Sequence, residues 1–140
     1  MGRVLAVDWG TRRVGVAVSD ETRTLARPLP TLEVDSRDQV LRDLAALAAE
    51  YGAEEVLVGH PLNLDGTAGE SAREAQRLAE ALRTALPEVR VVLVDERLTS
   101  VQAEAILRER GEKLRGRKQR VDQVSASLLL QEYLDAEEKG

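Results

Sequence analysis

Three carboxylates in this sequence adjoin apolar runs in a way that could bring them together for chemistry. Asp8 directly follows the run Val4–Val7, and no Lys or Arg stands next to it. Glu96 has nearly the same relation to Val91–Val94, and Asp122 opens a predicted final helix, on its apolar stripe. Each acid alone is more simply explained as a turn former or a helix cap. All three together, at one sheet edge, predict a shared function.

A cluster of carboxylates is electrostatically costly unless a cation lies among them. Hard oxygen ligands favour Mg²⁺ or Mn²⁺. Such ions can activate a water and stabilise the leaving oxygen of a phosphodiester. The three acids therefore predict a metal site at Asp8, Glu96 and Asp122, with metal-assisted phosphodiester hydrolysis as its chemistry.

Composition removes most other kinds of site. The 140 residues include no Cys and one His, His60, which excludes disulfides, thiolate nucleophiles, zinc ribbons and paired-histidine chemistry. Trp9, Tyr51 and Tyr133 are the only aromatic residues, too few for a base-stacking platform of the kind that reads single-stranded RNA or DNA. Carboxylates, hydroxyls, Arg, Lys and backbone groups remain available for catalysis.

The elements that must position these acids follow the order β-β-β-α-β-α-β-α-α. Strands are predicted at 3–8, 13–19, within 24–34, at 54–59 and at 89–94, and helices at 36–51, 70–86, about 99–110 and about 119–136. This order predicts an α/β fold with a mixed five-stranded sheet and helices on both faces. The ligand site of such a sheet lies beyond the carboxyl ends of its parallel strands, where Asp8 and Glu96 stand.

Glycine, proline and serine mark the boundaries of several elements. The turn Gly10–Arg12 predicts a hairpin between the first two strands, while Pro28 and Pro30 confine the third to an edge. Ser36 is a suitable N-cap for the first helix, and Gly52 a suitable C-cap.

Basic residues supply a second chemical signal. The net formal charge is −5, yet residues 108–120 alone contribute +5, immediately before Asp122. A charge run is commonly just a solvated loop. Here it predicts contacts with phosphate groups that give affinity without sequence reading and depend on salt. The nucleic-acid-binding candidates are Arg13, Arg97, Lys113, Arg115, Arg117, Lys118 and Arg120.

Some candidates have plain structural explanations. Arg13 could equally orient Asp8 or contact phosphate. Gly10 and Gly15 suit turn geometry and close strand packing better than substrate contact. His60, beside a proline, is interpreted as a loop residue rather than an acid–base group, and the loop from Gly59 to Gly66 as a possible substrate contact.

Four motifs together resemble the YqgF family, also called RuvX. They are DWGTRRVGVAVSD at 8–20, GHPLNLDG at 59–66, DERLTS at 95–100, and Lys118 with VDQ at 121–123 and QEYL at 131–134. The resemblance spans nearly the whole chain, in order and at compatible spacing. Departures are mild: the family often has an apolar residue at the position of His60 and an Ala pair at Ser125-Ala126.

This resemblance implies an RNase H-like fold with Asp8, Glu96 and Asp122 as the catalytic metal ligands. It further implies a nuclease of bacterial ribosome biogenesis that matures the 5′ end of the small-subunit ribosomal RNA precursor. The label of Holliday junction resolvase reflects the similarity of this fold to the RuvC resolvases.

Three other functions are compatible with parts of the sequence. The first motif also resembles the phosphate-binding hairpin of actin-like ATPases and sugar kinases, but those proteins use two such domains. A non-catalytic nucleic-acid-binding module could retain the same fold. A true junction resolvase acting on branched DNA would need two active sites, normally from a homodimer.

The chain is interpreted as one domain over residues 1–140. It shows no signal-peptide core and no apolar run of about 18 residues, so a soluble, cytoplasmic protein without membrane contacts is expected.

Overall fold

The computed structural model describes residues 2–10, 12–60, 65, 67–95 and 114–139, with the backbone alone for 114–124 and for 138–139. Its strands are β1 Arg3–Asp8, β2 Arg13–Ser19, β3 Ala26–Glu33, β4 Ala53–His60 and β5 Arg90–Asp95, and its helices are α1 Arg37–Tyr51, α2 Glu70–Ala85 and α3 Leu114–Lys139. The helix predicted at about 99–110 lies outside these residues.

The strands form one mixed five-stranded sheet in the order β3-β2-β1-β4-β5. β2 pairs antiparallel with both β1 and β3, whereas β4 pairs parallel with both β1 and β5. The predicted hairpin of β1 and β2 and the edge position of β3 are thus confirmed. Because β1, β3, β4 and β5 point the same way, their carboxyl ends share one edge, called here the carboxyl edge.

Strand alternation divides the core into two layers. On β1, Leu5 and Val7 pack in the larger cluster, which includes residues of α1 and α2. Val4 and Ala6 pack in a second cluster together with α3. All four side chains are fully buried, so β1 is apolar on both faces, as a central strand covered by helices requires. The face toward α3 is called here the α3 face.

The boundaries of α1 arise from local capping. The Ser36 side chain accepts a hydrogen bond of 3.1 Å from the backbone N–H of Gln39, and the Gln39 side chain binds back to the N-cap backbone. Gly52 ends the helix at φ 63°, a left-handed conformation that glycine adopts without a Cβ clash. Both predicted caps are confirmed.

The final helix is longer than the sequence indicated. It begins at Leu114 rather than near residue 119, and therefore includes half of the basic segment that was expected to precede it. Gly116 disfavours a helix, but its neighbours Leu, Arg, Lys and Gln are among the better helix formers. In the part of the chain that the structure describes, no helix is both long and apolar enough to span a membrane.

Candidate active site at the carboxyl edge of the sheet

Asp8 ends β1 at the carboxyl edge and is half-buried there. By alternation it follows Val4 and Ala6 on the α3 face. The four apolar residues before it are fully buried, so the carboxylate emerges directly from a rigid central strand. The sequence prediction for the placement of this acid therefore agrees with the structure.

Both strands beside Asp8 present a glycine next to it. Gly15 of β2 is its direct antiparallel partner. On the other side, the parallel register pairs Val7 with Val58, which brings Gly59 beside Asp8. Neither neighbour carries a side chain, so the sheet surface on each side of the carboxylate is lined by backbone alone. Sequence reasoning assigned Gly15 to strand packing and missed this pairing, since it appears only with the register.

The orientation of α3 is defined by polar contacts of its C-terminal half with the amino edge of the sheet. The amide of Gln131 accepts from the backbone N–H of Ala26 at 2.9 Å and donates to the carbonyl of Thr24 at 2.9 Å. Tyr133 contacts Glu55 near the start of β4. With residues 131–133 at the amino edge, the earlier turns of α3 extend toward the carboxyl edge.

Asp122 occupies a helical position one turn before Ala126, about 6 Å along the axis toward the carboxyl edge. Ala126 is fully buried in the cluster that contains Val4 and Ala6. The backbone of α3 thus passes over the strand that carries Asp8. One expectation was wrong: Asp122 does not open the helix but lies in its third turn, because the helix begins at Leu114. Its side chain lies outside the described atoms.

Glu96 follows the last described residue of β5 and lies outside the described residues. The preceding Val92 and Val94 pack toward the α3 face, and Val94 pairs with Gly59, the neighbour of Asp8. The part that Glu96 plays in the site stays a prediction.

Among the predicted nucleic-acid contacts, Arg13 is described in full. It begins β2 at the carboxyl edge, two residues before Gly15, and alternation places it on the α3 face with Asp8. Arg97 and Lys113 lie outside the described residues. The other candidates, Arg115, Arg117, Lys118 and Arg120, occupy the first two turns of α3, and their side chains are not described.

His60 is not a loop residue, as the sequence suggested, but the last residue of β4. The strand continues to this position because β5 pairs alongside it, with His60 opposite Asp95. Its Nε2 lies 2.9 Å from Nε2 of Gln76 on α2. The sheet thus separates the imidazole from the α3 face and Asp8.

The rest of the loop predicted to contact substrate is described only at Asp65. The pKa of Asp65 is lowered by hydrogen bonds from the hydroxyl and the backbone N–H of Thr67.

Gly10 is required by the turn that follows Asp8. A Cβ at this position would lie 2.4 Å from the carbonyl oxygen of Arg13, far closer than van der Waals contact allows. The structural explanation given to Gly10 from the sequence is therefore supported.

The donor set at this edge suits a hard divalent cation. Asp8 offers carboxylate oxygens, and its neighbours on the adjacent strands, Gly15 and Gly59, carry no side chain. Oxygen ligands are those that Mg²⁺ and Mn²⁺ prefer. Among the described residues no group of three His, Asp or Glu side chains is placed to hold a metal. Two of the three predicted ligands, Glu96 and Asp122, have side chains outside that set.

The chain matches a family model over residues 2–136, and the description of that family is "RuvX: Holliday junction resolvase". A protein of Rubrobacter xylanophilus is 48% identical over 134 residues, 96% of this chain and 93% of that protein. One of Chloroflexus aggregans is 44% identical over 133 residues, 95% of this chain and 93% of that protein. Both carry the name "putative pre-16S rRNA nuclease".

Two solved structures show the same fold at low sequence identity. RuvC of Thermus thermophilus, in complex with a Holliday junction substrate, superposes with a TM-score of 0.60 at 17% identity, over 99% of this chain and 96% of that one. The fowlpox virus resolvase, also with junction DNA, gives 0.58 at 13% identity, over 96% and 97%. The fold is RNase H-like, as expected.

Proposed function

The chain belongs to the RuvX family, and from that premise we propose that it is a metal-dependent nuclease that acts on structured RNA. The specific substrate proposed is the precursor of the small-subunit ribosomal RNA, cleaved at its 5′ end, in line with the name that the relatives carry. The reaction class is hydrolysis of a phosphodiester bond.

The observation that carries this proposal is the position of Asp8. It is a half-buried carboxylate at the carboxyl edge, on the α3 face, between Gly15 and Gly59. α3 crosses this face with its early turns directed to the same edge. A phosphate group approaching Asp8 therefore meets the backbone of a glycine at the adjacent position of each neighbouring strand.

The start of α3 supports a polyanionic substrate. Residues 114–120 hold four basic residues and no acidic residue, so the first turn of the helix lacks the acid that commonly stabilises a helix N-terminus. Cations in the first turn of a helix, here Arg115 and Arg117, oppose the helix dipole, at a cost of about 0.3–1 kcal/mol each. Because the helix dipole disfavours basic residues at this end of α3, we infer that these residues serve to bind phosphate groups.

We assign roles to the three acids as follows. Asp8 would bridge the metal ions, Glu96 would be a second ligand, and Asp122 would be a ligand that also orients the attacking water. When bound, Mg²⁺ or Mn²⁺ would lower the pKa of a water and stabilise charge on the leaving oxygen. Arg13, on the same face, is placed to hold the phosphate or to orient Asp8.

The test compares wild type with Asp8→Asn on precursor ribosomal RNA, with Mg²⁺, with Mn²⁺ and with EDTA. Asp135→Asn is the matched control, because Asp135 is an exposed carboxylate toward the amino-edge end of α3. D8N should lose more than the roughly 10–100-fold that removal of an outer-shell partner costs, and EDTA should abolish cleavage. Equal cleavage by D8N and wild type would reject the catalytic assignment.

A second candidate function is Holliday junction cleavage. It is favoured by the family description and by the similarity to RuvC solved with a junction. Symmetric cutting of a junction needs two active sites, so this function requires a homodimer. A four-way DNA junction is therefore included as a substrate, with sedimentation used to measure oligomeric state. Binding of RNA and junction without cleavage of either would instead support a non-catalytic binding module.

A further inference from the structure

A cavity of about 240 Å³ lies between α1 and α2 on the face opposite α3. Its apolar wall is formed by Trp9, Leu41, Leu78 and Ala81. The volume of the cavity lies below the range of about 300–1,000 Å³ typical of drug-sized ligands, so its size fits a single flat ring system.

Two basic and two acidic residues surround this apolar wall. Arg37 and Arg77 both donate to the carboxylate of Glu74, and Asp38 adds a second acid. The two arginine side chains are 63% and 59% exposed, whereas that of Glu74 is 15% exposed. The lining therefore carries no net formal charge and offers hydrogen-bond donors and acceptors at the cavity mouth.

The cavity is close to the candidate active site in the chain and in the fold. Trp9 is the residue after Asp8, and it packs against the larger core cluster, on the opposite face from α3. Arg37 begins α1 just after β3 reaches the carboxyl edge. The cavity and Asp8 therefore lie on opposite faces of the sheet at its carboxyl edge. Trp9, which lines the cavity, is the next residue in the chain after Asp8.

We propose that this cavity binds one unpaired nucleobase of the strand whose phosphate lies at Asp8, with Trp9 as the stacking surface. The proposal rests on the nuclease function proposed above, since it names a further contact of that substrate. The strand would pass over the carboxyl edge from the α3 face to the α1–α2 face. One aromatic wall holds a single base, whereas the base-stacking platform that the composition excludes needs several aromatic side chains.

The lining selects a base over other groups. A phosphate would find no net positive charge, because Glu74 and Asp38 balance both arginines. An apolar side chain of a protein partner would cover the four charged residues at the cavity mouth and form no hydrogen bond with them, which is unfavourable. A nucleobase has apolar faces for Trp9 and polar edges for the arginine and carboxylate groups.

The first test uses the intrinsic fluorescence of Trp9, which is the only tryptophan in the sequence. The Asp8→Asn protein in Mg²⁺ is titrated with single-stranded oligouridine, with oligothymidine and with a fully paired RNA duplex of the same length. Saturable quenching by the single strands and little by the duplex is expected. Quenching by oligouridine alone would restrict the site to RNA, and quenching by neither strand would overturn the proposal.

The second test fills the cavity without removing a contact. Ala81→Leu adds methyl groups at the wall, and Ala46→Leu adds the same atoms at an exposed position of α1. Both residues favour helices. A81L should weaken binding of labelled oligouridine by about 5- to 150-fold, the range expected for one base stacked on an aromatic ring, whereas A46L should not. Equal affinities, with both proteins folded by circular dichroism, would overturn the proposal.

The two proposals fail in distinguishable ways. The catalytic proposal fails if D8N shortens the RNA on a gel as wild type does, or if wild type does not shorten it, whatever the fluorescence shows. Loss of the base site appears as absent quenching or an unchanged A81L affinity, while D8N remains inactive and wild type cleaves. Quenching by intact RNA that A81L abolishes would establish the base site even if cleavage were absent.

Discussion

The phenol of Tyr133 on α3 donates a hydrogen bond of 3.0 Å to Oε2 of Glu55, a nearly buried side chain of β4. Oε1 of the same carboxylate accepts from Arg23 at 2.5 Å, and Arg23 also pairs with Glu137 at 3.0 Å. Burial raises the pKa of Tyr133, and the hydrogen bond to Glu55 raises it further. This network holds the C-terminal end of α3 at the amino edge, and thereby directs the earlier turns of the helix toward the carboxyl edge.

Removal of Glu55 should therefore destabilise the protein strongly. Glu55→Ala removes the acceptor of the Tyr133 phenol and leaves the largely buried guanidinium of Arg23 with Glu137 alone. We expect a loss of about 3 kcal/mol in the free energy of unfolding, the lower end for a broken buried pair. Tyr133→Phe should cost about 1 kcal/mol. Urea unfolding measures both. Glu21→Gln, at an exposed pair with Arg3, is the control and should stay within about 0.5 kcal/mol. An E55A protein as stable as E21Q would contradict the role of the network.

Gly10→Ala should reduce both stability and cleavage. The added Cβ would meet the carbonyl oxygen of Arg13 at 2.4 Å, so the turn after Asp8 must shift, at a cost of about 1–3 kcal/mol. Gly52→Ala is the matched control: its φ of 63° costs about 1–2 kcal/mol, but no atom lies within 4 Å of the new Cβ and the site is distant. Thermal melts and cleavage rates should show that G52A loses stability alone. Full activity of G10A would contradict a coupling of this turn to Asp8.

The elements that sequence reasoning placed well are those with strong local signals. Ser36 and Gly52 delimit α1 because capping depends on a few adjacent residues. The strand positions of Asp8 and Arg13 follow from the apolar runs beside them, which are continuous in β1 and of period two in β2. Local propensity, however, misplaced the start of α3, since Gly116 interrupts residues that otherwise favour a helix.

Features assembled from distant segments had no local signal. His60 belongs to β4 because β5 pairs beside it, although Pro61 follows it in the chain and suggested a loop. The cavity at Trp9 needs residues from α1 and α2, and the pairing of Tyr133 with Glu55 joins positions 78 apart. Tertiary packing and strand register, rather than sequence periodicity, determine these arrangements.

Asp20 should contribute to stability in a defined pH range. The hydroxyl of Thr22, followed by the backbone N–H groups of Thr24 and Leu25, lowers the pKa of Asp20 from 3.8 to about 2. Because the folded-state pKa is the lower one, the stabilisation is complete above the unfolded value and is lost as the pH falls through 2. Thr22→Val should raise the pKa of Asp20 toward 3.8 in an NMR titration. Thr84→Val, on α2, should leave it unchanged. A low pKa retained in T22V would show that the hydroxyl is not the main cause.

His60→Leu should retain cleavage activity and its pH profile. The imidazole interacts with Gln76 across the sheet from Asp8, so it has no path to a phosphate at the α3 face. Between pH 5 and 8, where an unperturbed histidine titrates, the ratio kcat/KM of H60L should follow that of wild type. Gln76→Leu is the companion variant, with the same expectation. A profile that flattens in H60L but not in Q76L would assign His60 a direct part in catalysis.

Affinity for RNA should fall steeply with salt, and the start of α3 should account for much of that dependence. If Arg115, Arg117, Lys118 and Arg120 each neutralise one phosphate, affinity drops about a hundredfold between 50 and 200 mM salt. Arg117→Gln should reduce the slope of log affinity against log salt by about 0.7–0.9. Arg42→Gln, an exposed arginine on α1, is the matched control and should leave the slope unchanged. Affinity that is flat over this range would exclude phosphate neutralisation as the function of the basic segment, and equal slopes for R117Q and R42Q would remove Arg117 from the contact.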